Sequence, residues 1–180
     1  MNKLTLVIPA KNEKESLPKV IDELKPLKLN KLVILEPSDK ETIEAIKDTD
    51  CQIIYQKDKG YGDAILLGIE NVSSEYFCIF NADGSFNPQE LAEMENIIEK
   101  ENADIVFASR YDKGCGSDDD TIVTYLGNFI FTKLGKIFFN LNVSDILYTY
   151  VFAKTEKIKN LNLKKKDFCL CIELPIKSKR

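Results

Sequence analysis

At 180 residues, with 44% hydrophobic and 30% charged side chains, the chain is long enough for one buried core and reads as a single domain over residues 1–180. Its net charge of −4 offers no electrostatic footprint for nucleic acid, and no apolar run approaches the ~18 residues of a membrane span. Histidine is absent, which removes Ser-His and Cys-His nucleophilic catalysis and His-ligated zinc and leaves acid–base work to carboxylates, Lys, Tyr or Cys.

The amino terminus enters a strand directly, with no signal-peptide pattern. LTLVIP, residues 4–9, is a near-continuous apolar run that predicts a central parallel strand. Leu17, Val20, Ile21 and Leu24 then repeat at helical spacing, with Asn12 as the expected cap. Residues 31–35 and 51–55 read as the second and third strands, and Asp39 is expected to cap the helix around 41–47. QKDKGYGD, residues 56–63, is a glycine-bearing loop before a helix through Ile65, Leu66 and Ile69, and its N–H groups suit an anion. The loop is not a Walker A motif, since no Gly-Lys-Ser/Thr follows.

YFCIFNADGSFNP, residues 76–88, is the stretch around which the chain is organised. Tyr76 to Phe80 predict a buried strand that stops at the polar elbow Asn81-Ala82-Asp83-Gly84-Ser85. Asn87 and Pro88 look like a cap and a first helical residue. Such an elbow is either a plain turn or a carboxylate at the carboxyl end of a sheet, where open α/β sheets bind ligands. Leu91, Met94, Ile97 and Ile98 line one face of the next helix, and residues 105–109 form a strand ending at Arg110. KGCGSDDDT, residues 113–121, is the segment expected to be most mobile. The helix at 122–140 is apolar over a wide arc; burial is expected, since lysines are few, and contact with a membrane surface is the alternative. Cys51, Cys78, Cys115, Cys169 and Cys171 are odd in number and fit no zinc spacing, so they read as buried or free thiols in a reducing cytoplasm.

The elbow resembles the Asp-x-Asp elbow of the family 2 glycosyltransferases, specifically the dolichyl- and polyprenyl-phosphate sugar transferase branch. The resemblance extends from Leu4 to Lys177: Ile8-Pro9 with Asn12-Glu13, Glu36 where an Asp is usual, Lys59-Gly60-Tyr61-Gly62, Ser109-Arg110-Tyr111, Asp145, and the closing run 168–177 with Glu173. It departs at Asn81 for Asp, Pro37 for Gly and Thr149 for Gly. The resemblance implies an α/β fold of GT-A type, a mainly parallel central sheet with helices on both faces. It implies transfer of a hexose from a UDP- or GDP-linked nucleotide sugar to a lipid-phosphate or saccharide acceptor, polyprenyl phosphate first. Pro9, Ala10, Lys11, Glu13, Glu36, Gly62, Ala82 and Asp83 would bind the nucleotide sugar, and Asp83 with Asn81 would hold Mg²⁺ or Mn²⁺ weakly. Asp83, Arg110, Asp118 and Asp145 would be catalytic, with Asp145 or Asp118 as base toward a hydroxyl acceptor. The chain stops before the final strand and the membrane helices that some members add, as a minimal or a truncated catalytic domain. The alternatives are a degenerate nucleotide-binding module without turnover and a nucleotidyltransferase, although the latter's early Gly-x-Gly-x-Arg loop is missing.

Overall fold

Six apolar runs pair into one sheet, and their burial fixes which helices cover which face. The structure, a computed structural model, describes residues 3–111 and 122–179. The strands are β1 (Leu4–Pro9), β2 (Asn30–Leu35), β3 (Gln52–Tyr55), β4 (Tyr76–Ile79), β5 (Ile105–Phe107) and β6 (Val151–Lys154), in the order β3-β2-β1-β4-β6-β5. β3, β2, β1 and β4 pair in parallel, while β6 runs antiparallel between β4 and β5. β1 and β4 are buried along their whole length, as parallel strands covered on both faces require.

Period-two alternation splits the core in two. Leu6, Ile8, Val33, Leu35, Cys78 and Phe152 face α1 (Leu17–Leu24), α2 (Lys40–Ile46) and α4 (Glu90–Lys100). Val7, Leu32, Ile34, Phe77, Ile79 and Ala153 face α3 (Tyr61–Asn71), α6 (Thr155–Lys159) and α7 (Leu170–Ser178). Gly68 lets α3 lie on β1, since a Cβ there would meet Val7 Cγ1 at 2.3 Å. The expected mainly parallel sheet with helices on both faces is the observed one.

Several boundaries differ from the sequence reading. Asn12 does not cap α1; it adopts positive φ and donates its N–H to Asp39 Oδ2 at 2.7 Å, and α1 begins only at Leu17. Asp39 does cap α2, accepting from Thr42 N. Asn87 accepts from Gln89 N in a tight turn, so α4 begins at Glu90 rather than at Pro88. Ile97 is exposed while Leu91, Met94 and Ile98 are buried. The expectation of a buried helix at 122–140 also fails: α5 (Ile122–Phe139) shows the large apolar side chains described along it, from Leu126 to Phe139, to solvent. Its contact stripe is instead polar and small, because that stripe must bond to Asp145 and to the backbone at Ile146.

Candidate active site

The strand order reverses beside β1: β2 and β3 lie on one side of it and β4 on the other. Ligands of open α/β sheets sit beyond the carboxyl ends of strands at such a switch point. A cleft of about 1000 Å³ opens there. It is lined from β1 by Pro9, Ala10, Lys11 and Glu13, from β2 by Glu36, from the β4 elbow by Asn81, Ala82 and Asp83, and from beyond β5 by Arg110.

The β1 and β2 loops are tied to each other. Asp39 accepts from Asn12 N and Thr42 N; burial pushes its carboxyl up, but these hydrogen bonds outweigh that and hold it below the usual carboxylate range. Glu13 N donates to Thr42 Oγ1 at 3.0 Å. Lys11 Nζ donates to Glu36 at 2.8 Å and holds that carboxyl below its usual range.

An aromatic cluster supports the elbow. Phe86 stacks on Tyr150 with centroids 4.4 Å apart, Phe80 meets both rings edge-on, and Tyr150 Oη donates to Asn87 O at 2.8 Å. Each such ring pair contributes about 0.5–1.5 kcal/mol beyond its burial. On this base the exposed Asp83 accepts from Ser85 N at 2.9 Å. Asn81 donates to Ser85 Oγ at 3.2 Å, and its Oδ1 accepts from Tyr61 Oη at 3.4 Å.

Arg110 is held from behind. Asp145 accepts from Arg110 Nε at 2.8 Å and from Nη2 at 3.2 Å, and Asn128 Nδ2 donates to the same carboxylate. The guanidinium lies 4.9 Å from the Tyr148 ring centroid. Burial is the main reason the Tyr148 phenol is pushed up to about 12, so this ring stays neutral beside the cation.

Two expected site residues are therefore placed elsewhere. Asp145 does not line the cleft: its side chain is 0% exposed behind Arg110, so it is not positioned to take a proton from an acceptor. Gly62 is buried under the 165–167 backbone, and a Cβ on it would meet Lys165 O at 2.5 Å and Asp167 O at 2.6 Å. Asp63 N donates to Lys166 O at 2.9 Å. The first turn of α3 thus seats a neighbouring segment of the chain where an anion was expected. The 113–121 loop, with Asp118, lies outside the described residues.

The structure adds residues that the sequence reading passed over. Tyr61 and Phe168 stack at 4.9 Å in the cleft, and Tyr61 Oη shares a 2.7 Å hydrogen bond with Thr149 Oγ1. Gln56 is buried in the cleft wall and donates to Gly60 O. Cys171 also lines the cleft, and burial pushes its thiol up to about 11. An aromatic between two glycines was the signal available for Tyr61; Phe168 stood out only as the start of the closing run, and nothing in the sequence pointed to its stacking on Tyr61, 107 positions away. Among the described residues no three His, Cys, Asp or Glu side chains gather into a metal cage. Asp83 remains as one exposed carboxylate, which suits a hard cation that keeps waters and shares a ligand's phosphates.

The family profile described as Glycosyl transferase family 2 matches residues 5–161. A low-salt glycan biosynthesis hexosyltransferase of Haloferax volcanii is 26% identical over 148 residues, covering 79% of this chain and 36% of that protein. The dolichol-phosphate mannosyltransferase of Pyrococcus furiosus is 23% identical over 188 residues, covering 98% of this chain and 53% of that protein. The chain thus spans about a third to a half of these relatives. Among solved structures, glucosyl-3-phosphoglycerate synthase from Mycobacterium tuberculosis, in complex with Mn²⁺, UDP and glucosyl-3-phosphoglycerate, superposes with a TM-score of 0.75 at 18% identity. That match covers 94% of this chain and 62% of that one.

Proposed function

The chain belongs to glycosyl transferase family 2, and on that premise we propose that it moves a hexosyl group from a nucleotide-sugar donor, UDP- or GDP-linked, to an acceptor that carries a phosphate, polyprenyl phosphate first. The observation that carries the reading is one cleft at the switch point with Asp83 on its elbow and a rigidly held Arg110 in its wall.

Lys11 with Glu36, and the Pro9–Ala10 backbone, form the part of the cleft assigned to the nucleoside. Arg110 faces the region assigned to the diphosphate, where a guanidinium is suited to forked contacts with phosphate oxygens. Because Asp145 fixes it, the cation needs little reorganisation as negative charge grows on the departing diphosphate. Asp83 would hold a Mg²⁺ or Mn²⁺ ion whose charge helps to neutralise that diphosphate. Asp145 is committed to Arg110 and does not serve as a base in this reading; a phosphate acceptor is already anionic and needs none. The names of the relatives support a hexosyltransferase, and the dolichol-phosphate mannosyltransferase supports a lipid phosphate. The Mn²⁺ and UDP of the structural neighbour support the donor and the ion.

A second reading, a nucleotide-binding module without turnover, draws on Asn81. Its amide is bonded to Ser85 and Tyr61 where the family has a second carboxylate. Transfer of labelled sugar to polyprenyl phosphate separates the two readings. In calorimetry, Asn81→Asp should tighten Mn²⁺ binding without nucleotide, and Asp83→Ala should abolish metal-dependent nucleotide binding. If Asp83→Ala still binds nucleotide in a metal-dependent way, the elbow is not the metal site.

A further inference from the structure

α5 is amphipathic in the reverse sense. Asn128, Thr132 and Gly135, at i, i+4 and i+7, form its buried stripe. Asn128 Nδ2 donates to Asp145, and Thr132 Oγ1 accepts from Ile146 N at 3.2 Å. Gly135 lies so close to the body that a Cβ would meet Ile146 Cδ1 at 2.9 Å. The polar and small side chains point inward. Phe129, Ile130, Phe131, Leu134, Ile137 and Phe138 point outward, each between 43% and 73% exposed. A surface helix ordinarily buries its apolar stripe and wets its polar one. A contiguous exposed patch of this kind marks a docking surface rather than scattered surface hydrophobes.

The charge around the patch selects the occupant. α5 carries Lys133 and Lys136, both exposed, and no acidic residue. Lys133 Nζ lies over the Phe129 ring at 5.7 Å. Lys179 Nζ donates to Phe139 O at 2.9 Å, which brings the basic end of the chain beside the end of α5. A second copy docked by twofold symmetry would oppose the same lysines with no acidic residue on α5 to pair them. An anionic bilayer takes both features, with Phe, Ile and Leu at the acyl boundary and Lys at the headgroups. Among the described residues no helix is long and apolar enough to cross a membrane, so α5 would lie in the interface plane.

We propose that the outward face of α5 docks this chain on an anionic bilayer surface. The inference does not depend on which acceptor the cleft uses.

The test uses the whole chain with extruded vesicles of phosphatidylcholine, alone or with roughly a third phosphatidylglycerol. The chain has no Trp, so Phe138→Trp supplies a single reporter. Its emission should shift to shorter wavelength with anionic vesicles, and the wild type should cosediment with them. Lys133→Gln/Lys136→Gln should weaken vesicle binding about 25-fold, at about fivefold per lysine. Ile137→Ser/Phe138→Ser should abolish cosedimentation while its thermal unfolding and its transfer to a water-soluble phosphate acceptor stay as in wild type. Vesicle binding without any transfer would refute the proposed function and leave docking standing. Three results would overturn docking: no vesicle binding by the wild type, equal binding to neutral and anionic vesicles in all variants, or a dimer by light scattering that Ile137→Ser/Phe138→Ser dissociates.

Discussion

Asp145→Asn should lower both stability and transfer, through Arg110. The wild-type carboxylate is 0% exposed and accepts hydrogen bonds from Nε and Nη2 of a guanidinium that is 22% exposed. Removing one partner of a fully buried pair costs about 3–5 kcal/mol. Here the cation retains some solvent and the Asn oxygen still accepts one hydrogen bond, so about 2–3 kcal/mol is expected. For a chain of this length that lowers the melting temperature by about 5–10 °C. Urea unfolding gives the free energy, and labelled transfer at saturating donor gives the rate. The rate should fall by up to the ~10²-fold typical of losing one preorganised donor, because the guanidinium is no longer fixed. The double substitution Arg110→Met/Asp145→Leu should recover only part of the stability, since it leaves no unpaired charge but strands the buried Asn128 Nδ2, and should not recover transfer. Asp145→Asn with a wild-type urea midpoint and a wild-type rate would refute the assignment of Asp145 as the residue that positions Arg110.

Gly62→Ala places a methyl group against the Lys165 and Asp167 carbonyls, which are backbone and yield little, so a loss of about 1–3 kcal/mol is expected in chemical unfolding. Glu173 accepts from Lys164 N, Lys165 N and Lys177 Nζ; burial pushes its carboxyl up, but these contacts outweigh that and hold it below the usual range. The stability it contributes is therefore present above the unfolded-state value of about 4.3 and is lost as pH falls through the lower folded value. Glu173→Gln should accordingly be about 1–2 kcal/mol less stable at pH 7, with the gap closing below about pH 4 in a pH series of unfolding curves. Tyr148→Leu removes the ring face beside Arg110 and should reduce transfer more than stability; an unchanged rate would show that the ring does not help to position the cation.

The strands were legible because burial on both faces writes itself as uninterrupted apolar runs. LTLVIP became β1 with the expected ends, and the run from Tyr76 became β4. Asp39 was legible as a cap because capping is a contact between near neighbours. The elbow and Arg110 could be placed at one end of the sheet because they directly follow strands, and parallel strands present their carboxyl ends together.

Contacts between distant parts of the chain were not legible. Asp145 reads as a free carboxylate in sequence, and only the antiparallel insertion of β6 between β4 and β5 carries the segment before it behind Arg110. Gly62 reads as part of an anion loop until residues 165–167 fold across it. In α5 the apolar pattern alone suggests burial, since periodicity reports which side chains share a face and not which face meets the body. By itself the sequence determined the layers of the fold and the end of the sheet that carries the site. Tertiary structure decided which carboxylate faces the cleft, which one is held behind Arg110, and that α5 turns its apolar side outward. The physical reason is that local propensity acts over a few residues, whereas the pairing of a buried charge and the seating of a helix depend on partners supplied from elsewhere in the chain.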